Sequence, residues 1–65
     1  MDRITIVCEE FVERGITRYA ASAGLGPEYY GASPDEAIGN LMREGLSGRL
    51  PIVIEDIKYT KQNRR

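Results

Sequence analysis

Histidine is absent from these 65 residues, and cysteine occurs once, at position 8. Without histidine there is no imidazole to ligate a metal or to pass a proton near neutral pH. A lone cysteine excludes an internal disulfide and fits a reducing compartment. With no imidazole to activate it, Cys8 reads as a small buried apolar residue rather than a nucleophile. Long apolar runs are missing as well. No stretch approaches the roughly 18 residues that span a membrane, and the run after Met1-Asp2-Arg3 is too short for a secretory leader. The expectation is a cytoplasmic protein, off the membrane, with no cofactor. At this length it is a single domain near the lower limit for a core without staples.

Charge is nearly balanced overall, at −1, but unevenly spread. Residues 1–56 carry five basic and ten acidic side chains, whereas residues 57–65 carry Lys58, Lys61, Arg64 and Arg65 and no acid. Such a basic end can contact phosphates or can be a solvated tail, and tails of this kind are common. The acidic body repels nucleic acid, which makes phosphate binding by these four residues the weaker reading.

The clearest local signal is Ser33-Pro34-Asp35-Glu36. Ser33 suits an N-cap, and Pro34 then falls at the first helical position, where its missing N–H is no loss. Glu36 has the capping-box spacing, and Asp35 and Glu36 put negative charge at the positive end of the helix dipole. Ala37, Ile38, Leu41, Met42 and Leu46 recur at helical spacing, which extends the helix to Glu44 or Leu46. Gly45 and Gly48 are placed to end it.

Around this helix the chain reads as strands. Ile4–Phe11 is rich in β-branched residues, residues 12–15 form a hairpin connection, and Ile16–Ala23 is a second strand. Glycine and proline at 24–27 break the chain. A short third strand fits between Glu28 and Gly31, and Ile52–Tyr59 is the last, with a polar tail from 60 to 65. The expected fold is α+β in the order β-β-β-α-β, an antiparallel sheet with one helix on one face. A single short helix covers one face of a sheet. The other is expected to carry Val7, Phe11, Tyr19, Val53 and Ile57 and to be covered by a partner or a second copy.

Paired carboxylates are candidate metal ligands. Glu9 and Glu10 are adjacent on one strand and point to opposite faces, as do Glu55 and Asp56, and no base accompanies them in sequence. The expectation is that this is not an enzyme. Tyr29 and Tyr30 beside glycines could stack on bases; the favoured alternative puts one under the helix and the other at an edge.

From Gly26 to Leu41 the sequence resembles the HicB-like antitoxin family. Gly26 and Gly31 have the family's spacing, and Ser33, Glu36, Ala37, Asn40 and Leu41 match its cap and its Glu-Ala-x-x-Asn-Leu helix. The family's proline before the first glycine is replaced by Leu25, with Pro27 on the other side. The resemblance implies a partial ribonuclease-H-like sheet without nuclease chemistry. It also implies a protein-binding module that masks a small HicA-like RNA-cleaving toxin and self-associates as a dimer or higher oligomer. Many members continue into a DNA-binding domain; this sequence matches the part before it, ending about six residues after its last strand. The alternative is a small nucleic-acid-binding protein that uses the basic tail and exposed tyrosines.

Overall fold

The computed structural model describes residues 2–24, 26–49 and 51–62. Strand β1 (Asp2–Glu13) and strand β2 (Ile16–Ala23) form a long antiparallel hairpin. Its two-residue turn is Arg14-Gly15, with φ of 54° and 77°. Positive φ at both central positions gives the backbone twist that suits a tight hairpin, and it is why glycine follows the arginine. The short β3 (Tyr29–Gly31) pairs antiparallel with β2.

Helix α1 (Pro34–Asn40) follows. It continues through a π-helical turn, Leu41–Gly45, and the Leu46 amide donates to the Leu41 carbonyl at 3.1 Å. A 3-10 turn at Ser47–Arg49 leads to β4 (Ile52–Lys61). Helical structure thus reaches Gly45, within the expected span, but its last five residues are wound more loosely than an α-helix.

The strand order is β3-β2-β1-β4. The fold is α+β as expected, but the sheet is mixed rather than antiparallel, because β4 runs parallel to β1. A strand that returns to the sheet by way of a helix can enter alongside an earlier strand in the same direction, which a tight hairpin cannot do. β4 also runs two residues beyond Tyr59, and the Gln62 amide donates to the Glu10 carbonyl at 2.8 Å. The start expected for the tail, Thr60 and Lys61, therefore belongs to the sheet.

The core lies between α1 and the sheet. Ile6, Ala21, Ala37, Leu41 and Leu46 are buried together, with Ile4, Tyr19, Tyr29, Ile52, Ile54 and Ile57 packed partly against them. Alanine at 21 and 37 lets the helix approach β2 closely. Cys8 is 1% exposed, and burial pushes its thiol above the ordinary 9.0.

Candidate functional site

The residues that carried the family resemblance turn out to be joinery. Ser33 has extended backbone angles, and its Oγ accepts the Glu36 amide at 3.2 Å, as an N-cap does. Glu36 reaches back too, but takes the amide of Ala32, at 2.8 Å, one residue before the cap. Pro34 occupies the first helical position. Asn40 donates its side-chain amide to the Tyr30 carbonyl at 2.9 Å and accepts from Arg43.

Gly31 explains itself by contact: a Cβ there would lie 2.6 Å from the Ala37 nitrogen and 2.9 Å from Glu36. The helix passes directly over β3, and only a residue without a side chain fits beneath it. Gly26 lines a small hollow with Pro27, Tyr29 and Leu46 under the preceding loop, while Leu25 lies outside the described residues.

This joinery holds α1 toward one side of the sheet. It lies closest to β3, then β2, then β1, and engages β4 least. Glu36 and Asn40 face β3; Ile38 and Met42, on the opposite flank by helical periodicity, face the β4 side. Met42 is exposed, and Ile52, Ile54 and Ile57 on β4 are only half-buried. Tyr59, next in that row, is 64% exposed. An apolar margin therefore runs along the helix side of β4.

The set Val7, Phe11, Tyr19, Val53 and Ile57 does not share one face, contrary to expectation. Tyr19 pairs across from Glu10, in the row with Ala21 and Cys8, and packs on the helix side. Ile57 is on that side because of a β-bulge: Ile54 stands opposite Ile4, Asp56 opposite Thr5, and Glu55 is the extra residue. One added residue reverses the alternation, so Ile57 rejoins Ile52 and Ile54 in the core row.

Val7, Phe11 and Val53 do occupy the far face. That face is less bare than expected, because Phe11 is only 4% exposed and meets the Tyr30 ring edge-on at 6.1 Å. Tyr29, by contrast, packs against the core under the helix. Around the aromatic pair lie Arg18 and Glu13, lining a hollow of about 240 Å³. A larger open cleft of about 580 Å³ separates the hairpin tip, at Arg14, Ile16 and Arg18, from Ala32 and Glu36.

The acids and bases are distributed, not gathered. Tyr19 donates its hydroxyl to Glu10 at 3.2 Å, and Lys61 lies 3.6 Å from the same carboxylate. Partial burial raises the Tyr19 phenol, and the charge on Glu10 raises it further. Arg3 lies 3.8 Å from Glu55 in an exposed pair. Among the described residues, no three of His, Cys, Asp and Glu come together as metal ligands. Of the basic residues near the end, Lys58 is exposed on the far face, Lys61 is engaged by Glu10, and Arg64 and Arg65 lie outside the described residues. No described helix is long and apolar enough to cross a membrane.

Two features escaped the sequence. The bulge has no sequence signal of its own, since Glu55-Asp56 reads equally well as regular strand. The offset of the helix depends on Asn40 reaching Tyr30, a contact between residues ten apart. No known protein family, characterised protein or solved structure matches this chain.

Proposed function

We propose that this protein is a non-catalytic interaction module of the HicB antitoxin type, which binds and masks a small HicA-like RNA-cleaving toxin and associates with itself. The observation that carries the reading is a division of labour along the chain. Residues 26–41, the stretch resembling the family, are spent on turn, cap and helix docking. Large apolar side chains outside that stretch stay in solvent: Ile16 at 63% exposure and Tyr59 at 64%, and also Val12, Met42 and Val53. Exposed apolar groups on a domain this small favour a partner surface over a solvated one. The mixed charges of the described surface favour protein over nucleic acid as that partner.

The test is co-expression with the product of an adjacent gene encoding a small basic protein with a catalytic histidine. The two are expected to elute together on size exclusion, and growth arrested by the toxin alone is expected to recover. Separate elution with growth still arrested overturns the reading.

A further inference from the structure

Among the described residues the outer edge of β4 is unpaired, because β4 ends the strand order at its side of the sheet. An exposed edge is a template for another strand, and natural edges are commonly guarded with charge or a bulge. Both guards are present here. Glu55 forms the bulge, and the Asp56 carboxylate accepts the Ile57 amide at 2.9 Å. That amide points outward: Gln62 donates inward to Glu10, so by alternation residues 58 and 60 face β1 and residues 57, 59 and 61 face away.

The charges along this edge are ordered in a way that a guard alone does not require. Glu55 and Asp56 precede Ile57, and Lys58 and Lys61 follow it. Asp56 and Lys58 stand opposite Thr5 and Val7 on β1, which places both on the far face. Lys58 has no ion pair among the described residues. An antiparallel copy related by a dyad through Ile57 places each Asp56 across from a Lys58, on the same face, as a non-hydrogen-bonded pair where side chains approach most closely. A parallel copy in register would instead oppose like charges.

We propose that two copies of this chain pair side by side along β4, antiparallel about a dyad at Ile57, with Asp56 of each copy facing Lys58 of the other. This deepens the self-association in the reading above and rests on it. On pairing, Asp56 exchanges the Ile57 amide for the lysine of the second copy, and the freed amide donates to the Ile57 carbonyl across the dyad. On the helix side, Ile57 and Tyr59 of both copies gather into one apolar strip, which covers the margin that α1 leaves open. A strand without a base in register does not draw Asp56 away, so the same carboxylate guards the edge against other strands.

Light scattering on the full chain at micromolar concentration is expected to give twice the 7.3 kDa chain mass. Lys58→Glu is expected to return 7.3 kDa, and the exchange Asp56→Lys with Lys58→Glu to restore the doubled mass. A wild-type mass of 7.3 kDa overturns self-association itself. A dimer that withstands Lys58→Glu leaves self-association standing and overturns this pairing, as does a natively folded exchange variant that stays monomeric. If the exchange variant does not fold, Ile57→Cys in a Cys8→Ala background decides. Cα atoms about 5.5 Å apart across the dyad allow a disulfide. Oxidation is expected to cross-link the dimer, and a doubled mass without a cross-link overturns the dyad.

Discussion

Gly31 and Ala37 stand so close that a methyl group on the glycine would lie 2.6 Å from the alanine nitrogen. The atom in the way is helix backbone, which cannot rotate aside as a side chain could. Gly31→Ala is therefore expected to cost about 1–3 kcal/mol, as overpacking of a tight contact does, read as a lowered urea midpoint. Gly48→Ala, which meets nothing within 4 Å, is the control and should shift the midpoint far less.

The cap gives a smaller effect. Ser33→Ala removes the oxygen that accepts the Glu36 amide and is expected to cost about 1 kcal/mol. Ser33→Asp should recover most of it, since an aspartate accepts the same bond. In a domain with little stability to spare, the alanine variant should show a visibly lower melting temperature.

The bulge makes a prediction about deletion. Removing Glu55 leaves Ile54, Asp56 and Ile57 in plain alternation, so the core row on β4 is preserved and the far-ultraviolet circular dichroism spectrum should be unchanged. Only the exposed pair with Arg3 is lost, worth roughly 0–1 kcal/mol. Deleting Lys58 instead turns Tyr59 and Lys61 to the far face and breaks the Lys61–Glu10 contact. Chemical denaturation of the two deletions should separate them clearly.

Alkaline pH should weaken the fold through Cys8 and Tyr19. Burial raises the Cys8 thiol above its unfolded value, so the unfolded chain loses its proton first. The stabilising contribution is complete below the ordinary 9.0 and is lost as pH rises through the folded value. Tyr19 acts in the same sense from 10.0 upward. The urea midpoint is expected to decline above about pH 9, and Cys8→Ala should flatten the first part of that decline. At neutral pH, Cys8 should react with a thiol reagent only as the chain unfolds.

Most of the local structure was legible in the sequence because it is locally determined. The cap at Ser33, the hairpin turn before Ile16 and the β-branched runs of β1 and β4 each depend on neighbours a few residues apart. What escaped depends on distant pairing. The direction of β4 is fixed by which side of β1 it joins, and the side to which Ile57 turns is fixed by a bulge defined only against Ile4 and Thr5. The bulge also moves Ile57 out of the candidate surface. Counting by twos along Val53-Glu55-Ile57 put a core residue on the outside. Tyr19 was assigned to the bare face although its own row, with Ala21 and Ala23, is the one that the helix covers. Ser33 and Pro34 start the helix as their sequence predicts, whereas Glu36 takes the Ala32 amide in place of the cap's and Gly31 lies in β3 beneath the helix.

The parallel pairing of β1 with β4 also sets the order in which this chain can fold. Asp2 lies opposite Ile52, and Glu10 opposite Lys61. The hairpin of β1 and β2 can close once residue 23 is free of the ribosome, whereas β1 waits for a second neighbour about fifty residues away along the chain. As the chain emerges, this strand therefore has one side open until residue 61 is clear of the ribosome. During that interval Ile4 and Ile6 lack their neighbours on β4, and other chains or chaperones can reach them. The arrival of β4 ends this exposure.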